Sequence, residues 1–230
     1  MDYLASIYNF RVVGDYLPVF LHGIFATIWI SLVCLVLSLV LGIFLAGLRT
    51  SSSALLWRPA AAYIQFVRAT PLLVQIYLVY YGLPIVFGSV GVLTEAVSGI
   101  IALTLHTTPY MGEIIRSGIE SVDKGQREAA RAVGMNGVQT MWHVVLPQAF
   151  ANVVPTLLGQ TAVLIKDTSL LSLIAVFEVM SSGLQLMSER VMPNEAFITT
   201  AICYLLIYAV LLAVSNVVER RLGGGIYRPA

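Results

Sequence analysis

Four ionisable side chains stand inside apolar stretches of this chain, namely Arg68, Glu113, Lys166 and Asp167. A charge at the centre of a bilayer costs roughly 2.5–3.5 kcal/mol on insertion scales. Three of them unpaired approach about 8–10 kcal/mol, the size of a whole domain's stability. Each must therefore find an opposite charge, water in a cavity, or a ligand. Lys166 and Asp167 are neighbours, and on a helix neighbours project about 100° apart, so they neutralise one another poorly. Interhelical pairing is one solution, with Lys166 on Glu113 and Asp167 on Arg68 or on a helix N-terminus. A charged ligand is the other. Thr168, Ser169 and Ser172 follow on the same stretch as hydroxyls that cross-link helices or line a cavity. Arg116, three residues after Glu113 and nearer the end of its run, suits an ordinary pair with it. Tyr110 lies one turn from Glu113.

The elements that hold these residues are membrane spans. The 230 residues are 58% hydrophobic and 11% charged, too apolar for a soluble domain of this size. Windows of roughly 20 apolar residues, the length that crosses hydrocarbon, run over 17–47, 60–87, 94–118, 149–176 and 197–217. This predicts an all-α membrane protein with about five transmembrane helices, one domain over 1–230. Gly42, Gly47 and Pro155 are the expected breaks in the longer windows, and Pro71 is expected to kink the second span and free a carbonyl. Arg49, Arg58, Lys124, Arg127, Arg131, Arg220, Arg221 and Arg228 fall on one side. Arg11 and Arg190 share the other with Asp2, Asp15, Glu178, Glu189 and Glu195. That asymmetry puts the N-terminus outside and the C-terminus in the cytoplasm, as an odd number of spans requires. Residues 1–16 have no basic n-region and carry Tyr3, Tyr8, Phe10 and Tyr16, so they read as an outer-surface interfacial segment. Cys34 and Cys203 fall in apolar windows and read as packing residues.

Residues 121–147 are polar between two apolar runs and face water. Asp123 suits the cap of a first short helix with Gln126 in the capping-box position, and Gly134 suits its left-handed end. Asn136 with Gln139 repeats the start signal, and Pro147 ends the second helix or begins the next element. Ala129 and Ala130 admit close approach of another backbone. Arg127 and Arg131 share a face, with Glu128 beside Arg131. Such a segment is either an amphipathic helix on lipid headgroups or a docking element. No G-x-x-x-x-G-K-[ST] occurs, so no phosphate cradle of that kind is expected. His22, His106 and His143 are too scattered to predict a metal site.

The order Glu128-Ala129-Ala130, three residues, Gly134, nine residues, Val144, one residue, Leu146-Pro147 resembles the signature loop of membrane subunits of bacterial ABC importers. Arg68-Ala69-Thr70-Pro71-Leu72-Leu73-Val74-Gln75, Glu113-Ile114-Ile115-Arg116-Ser117-Gly118-Ile119, Lys124-Gly125-Gln126, Leu146-Pro147-Gln148-Ala149 and Lys166-Asp167-Thr168-Ser169-Leu170 are similar to the permeases for polar amino acids. The resemblance runs from about Gly23 to about Arg221. It implies a type I ABC importer-like transmembrane domain in a bacterial inner (plasma) membrane, a transport subunit rather than an enzyme. It implies that ATP is bound by a separate ABC ATPase dimer gripping the loop at 121–147 through Glu128, Ala129, Ala130, Gly134, Leu146, Pro147, Arg127 and Arg131. A second permease subunit, identical or paralogous, completes the path, and a periplasmic or extracellular binding protein delivers an amino acid. No cofactor, metal or nucleic acid is expected. The amino acid's carboxylate meets Lys166 and its ammonium Asp167, with Glu113, Arg68, Thr168 and Tyr110 as further contacts. Two positions depart from the family pattern: Gly112 stands where alanine is usual, and Gly159 where many members carry asparagine. An ion-coupled secondary amino-acid transporter, with Asp167 and Glu113 relaying protons or sodium, is the alternative. A non-transporting membrane scaffold is a third reading.

Overall fold

The structure, a computed structural model, describes residues 8–223, which are helical with no strand among them. Of the segment 1–16, residues 1–7 with Asp2 and Tyr3 lie outside the described residues, as does Arg228. Helix α1 (Phe10–Asp15) is capped by Asn9, whose side chain accepts from the Arg11 and Val12 N–H groups. In α2 (Leu17–Arg49) Pro18 occupies the first turn, where no N–H is needed, and the following residues are apolar on every face. Helices α3 (Ala54–Ala69) and α4 (Leu72–Phe87) meet at a bend of 111°. Helix α5 (Glu95–Glu120) starts at Thr94, whose hydroxyl accepts from Val97 N–H. Then come α6 (Lys124–Ala132), α7 (Gly137–Ile174), α8 (Val179–Arg190) and α9 (Pro193–Gly223).

Helix α5 is the centre of the bundle, packed between α2 and α7. It runs parallel to α2, since Cys34 faces Ile100 and Gly42 faces Gly112, and antiparallel to α7, since Gly99 faces Leu171 and Gly118 faces Val153. A Cβ on Gly42 would lie 3.0 Å from Gly112 N and from Met111 Cβ, so this crossing requires small residues, as contact between membrane helices commonly does. The glycine at 112 thereby has a packing reason. One apolar cluster joins α2, α4, α5 and α7 through Ile30, Cys34, Ile76, Leu103, Leu164 and Leu171. A second joins α2, α7, α8 and α9 through Phe20, Ile165, Leu186, Cys203 and Ile207. The two cysteines are thus packing residues in separate clusters.

By length and composition three helices can cross a membrane unaided, Leu17–Arg49, Gly137–Ile174 and Pro193–Arg221, and the bent pair adds a fourth. The third expected window is the uninterrupted helix α5, whose polar residues face neighbouring helices rather than lipid: Ser98, Thr104, Thr107 and Thr108 are all buried. Gly42, Gly47 and Pro155 break nothing, because α2 and the middle of α7 continue through them. The real interruption is at Thr70–Pro71, both extended. There a full break replaces the expected kink, since the residue before proline is driven out of the α region. Wider π turns interrupt α4 at Leu78–Gly82 and α7 at Met141–Val145, and α7 tightens into a 3-10 turn over Thr168–Ile174.

Candidate functional site

The polar loop folds as its capping residues dictate. Asp123 accepts from Gly125 N–H at 2.8 Å to start α6, although Gln126 makes no reciprocal bond. Gly134, at φ +84°, ends α6 with Gly134 N–H on Arg131 O and Met135 N–H on Ala130 O, the paired bonds of a Schellman motif. Asn136 and Gln139 form the full capping box of the next helix. Pro147 does not stop that helix but stands in the first turn of the α-helical segment Leu146–Asp167, the second of the two places expected for it. The helix runs on through the π turn, with Pro147 on its exposed side and Leu146 half-buried. Ala130 is buried and Ala129 exposed. Arg127 turns inward and donates to Ile119 O at the end of α5, tying the loop to the bundle. Glu128 and Arg131 both point to solvent, and among the described residues they form no ion pair. Between the two helices lies a groove of about 380 Å³ lined by Val133, Gly134, Met135, Gln139 and His143. Val133 at 75%, Val138 at 69% and Trp142 at 66% exposure put apolar surface around it.

The charged candidates separate into distinct places. Glu113 bonds Arg116 at 2.9 Å and Arg49 of α2 at 3.4 Å, while Arg116 also holds Glu120 at 2.6 Å. The expected Glu113–Arg116 pair is present, and the Lys166–Glu113 tie is replaced by Arg49. The sequence holds Arg49 as a topological charge; its role as partner to Glu113 depends on the parallel packing of α2 and α5. Arg68 lies over the Tyr110 ring at 5.5 Å and makes no pair with Asp167. Thr168, Ser169 and Ser172 donate to carbonyls three residues back in their own segment, at 2.7 Å each, because the 3-10 turn brings those oxygens within reach. Ser169 and Ser172 do not cross-link helices, whereas the Thr168 hydroxyl also neighbours the Tyr204 hydroxyl of α9.

At the break, Gln75 performs a task that residue type alone does not reveal. Pro71 has no N–H, so Val67 O loses its helical partner, and the Gln75 amide donates to it at 3.0 Å. The same nitrogen reaches Thr70 O at 3.1 Å and Thr70 Oγ1 at 2.8 Å, and the amide oxygen meets His106 Nδ1 of α5 at 3.0 Å. The spacing of a glutamine four residues after a mid-span proline was the available signal.

Lys166 faces a cavity of about 440 Å³ between α7 and α9. Ala162 and Ile165 join it from α7, and Ala201, Tyr204, Leu205 and Tyr208 from α9. Asp167, Thr168, Glu113, Arg68 and Tyr110 are not on its wall. Behind Tyr204 is Glu178, which the sequence places on an outer surface but which is fully buried as the cap of α8. Its carboxylate accepts from Met180 N–H and Ser181 N–H at 2.8 Å and from the Tyr204 hydroxyl at 2.6 Å. Gly159, by contrast, has open space where a side chain would stand.

A family model described as "binding-protein-dependent transport system inner membrane component" matches residues 38–224, which include the loop, the break and the cavity. A probable amino-acid ABC transporter permease protein, PatM of Vibrio harveyi, is 35% identical over 221 residues, 96% of this chain and 99% of the relative. A probable glutamine ABC transporter permease protein, GlnM of Bacillus subtilis (strain 168), is 34% identical over 93% of this chain and 98% of its own. A crystal structure of an amino acid ABC transporter with histidines superposes with a TM-score of 0.86 at 31% identity, covering 93% of this chain and 98% of that one. The MetNI methionine ABC transporter in an inward-facing conformation shares the fold, with a TM-score of 0.75 at 17% identity over 89% and 96% of the two chains. The loop motif therefore pointed correctly: the chain belongs to the binding-protein-dependent inner-membrane transport components, the permease subunits of ABC transporters.

Proposed function

We propose that this permease forms the translocation path of an ATP-driven amino-acid importer. The observation that carries the reading is the groove at Gly134, an exposed groove lined by Val133, Gly134, Met135, Gln139 and His143 whose second wall is the start of α7, the helix that bears Lys166. A separate ATPase dimer docks there through Glu128, Arg131 and the Gly134 turn, with Arg127 and Ala130 fixing α6 to the bundle. The N-terminus lies outside and the C-terminus in the cytoplasm. A second permease subunit, the same or a paralogue, closes the path, and an outer binding protein supplies the substrate. ATP binding moves the loop, α7 transmits the motion, and the path opens alternately to either side. Relatives named for amino-acid and glutamine transport support the substrate class. Lys166, on the cavity wall, is the carboxylate contact. Asp167 and Thr168 flank it, and the Arg68–Tyr110 pair and Glu113 serve as further stations or as gates along α5.

The test is co-purification from detergent extracts of wild type, Glu128→Arg and Gly134→Asp, with uptake of radiolabelled amino acid by cells. An ATP-hydrolysing partner retained by wild type and lost by both variants, with uptake that stops on ATP depletion, is the expected result. Uptake that survives ATP depletion but collapses with an ionophore would overturn it in favour of an ion-coupled carrier.

A further inference from the structure

The cavity between α7 and α9 contains chemistry that narrows the substrate within the amino-acid class, and this narrowing rests on the importer reading. Its volume, about 440 Å³, lies in the range of small-ligand pockets. Lys166 is the one charged residue on its wall. Asp167, the neighbour expected to meet an ammonium, is not a wall residue. An ammonium partner is present in another form. Tyr204 donates its only hydroxyl proton to the buried carboxylate of Glu178 at 2.6 Å, so toward a ligand its oxygen acts as an acceptor, one that the neighbouring Thr168 hydroxyl and Met180 N–H also address. Glu178 is itself held by two backbone N–H groups at the start of α8, which fixes the direction of that bond. Tyr204 and Lys166 thus place one residue with an acceptor and one with a cation on the same wall, the two kinds of group that the ends of a free amino acid require.

The rest of the wall decides the side chain. Ile165, Leu205 and Tyr208 are apolar or aromatic, and the remaining positions are alanines. A guanidinium or a second ammonium would meet no carboxylate there and would be repelled by Lys166. A second carboxylate would have to share one cation and lose its water without replacement. We propose that this cavity takes an amino acid with a bulky uncharged side chain, its carboxylate on Lys166 and its ammonium on the Tyr204 oxygen backed by Glu178.

Equilibrium binding of labelled L-phenylalanine, L-arginine and L-glutamate to the purified permease–ATPase complex tests this. Phenylalanine should bind at least about tenfold more tightly than the other two. Lys166→Met should weaken it by about tenfold or more and Tyr204→Phe by roughly five- to tenfold, the size of one lost hydrogen bond. Leu205 is 64% exposed, so Leu205→Trp should fold normally and block the cavity. Arginine or glutamate binding as well as phenylalanine would overturn the selectivity while leaving amino-acid transport intact. Phenylalanine binding unaffected by Leu205→Trp would place the site elsewhere. ATP-dependent uptake by whole cells, which retain the outer binding protein, separates the two levels: uptake without cavity-dependent binding sinks this inference, and absence of ATP-dependent uptake for every amino acid sinks the reading beneath it.

Discussion

Replacing Gln75 by methionine should cost about 2–3 kcal/mol, almost all of it at the break between α3 and α4. Gln75 is only 8% exposed, and its amide makes four contacts: Val67 O, Thr70 O, Thr70 Oγ1 and His106 Nδ1, all within 2.8–3.1 Å. Methionine keeps the length and fills the same space, so the packing change is small. What is lost is the donor that replaces the missing Pro71 N–H and the bridge to α5. Hydrogen bonds in membrane proteins average about 0.6 kcal/mol each, and the two protons of Nε2, shared among its three acceptors, together with the Oε1 bond make about three, which sets the lower bound. A buried carbonyl left unsatisfied costs about 1–3 kcal/mol, which sets the upper. For a chain of this size about 1 kcal/mol shifts the melting temperature by roughly 2–4 °C, so the expected drop is about 4–12 °C. Cys34 is 0% and Cys203 6% exposed, so a thiol-reactive fluorophore added in detergent labels the chain only as it unfolds and reports the midpoint directly. Gln75→Glu should be worse, because it sets a carboxylate against two carbonyl oxygens. A methionine variant melting within about 2 °C of wild type would show that water or backbone rearrangement satisfies the break, and would refute the reasoning.

Gly134→Ala places a side chain at φ +84° and should cost about 1 kcal/mol locally; amide exchange in α6 should rise about fivefold and ATPase co-purification should fall. Gly137→Ala, in the same loop with no atom within 4 Å of the added carbon, should change neither. In Gly118→Ala the new Cβ would stand 2.0 Å from Val153 Cγ1, forcing α5 and α7 apart at a cost of about 1–3 kcal/mol. Adding Val153→Ala should recover much of that in a double-mutant cycle, and a purely additive result would count against the contact. At the other end of the bundle the Tyr16 hydroxyl donates to Glu189. That bond, with a second from Gln185, holds the Glu189 carboxyl below its usual range; the same bond first, and burial second, lift the Tyr16 phenol above its own. The lowered carboxyl contributes fully above its ordinary 4.5 and is lost as pH falls through the lower folded value. The raised phenol contributes fully below its ordinary 10.0 and is lost as pH rises through the higher one. The melting difference between wild type and Tyr16→Phe should therefore be flat from about pH 6 to 9 and shrink toward both extremes; a difference independent of pH would show that ring packing, not the hydrogen bond, is what matters.

What the sequence made legible was local. The Asn136–Gln139 box and the Gly134 turn follow from neighbours along the chain and are found where their residues stand, and of the five apolar windows three appear as unaided spans and one as the bent pair. The Glu113–Arg116 pair is legible for the same reason, being one turn apart on a single helix. What escaped was set by packing between helices. Glu113 takes Arg49 rather than Lys166 because α2 and α5 run side by side in the same direction, and no spacing along the chain encodes that. Glu178 looks like a surface acid until α8 and α9 close over it. Gly42 reads as a break because glycine weakens an isolated helix, whereas here it removes the bulk that would hold two helices apart.

Helix α7 runs from Gly137 to Ile174 with a π turn near its start and a 3-10 turn at its end, and between them it is a continuous α-helical beam whose tight contact with α5, Gly118 against Val153, sits partway along as a fulcrum. At about 1.5 Å per residue, the arm from Gly137 to Val153 is about 24 Å and the arm from Val153 to Lys166 about 20 Å. Tilted as a rigid body about that point, the beam turns a push of about 3 Å at the groove into a swing of about 2.5 Å at Lys166 in the opposite sense. The mechanical advantage is close to one. Under the proposed coupling, a subunit geared this way would neither amplify nor waste a stroke delivered at the groove; it would reverse it.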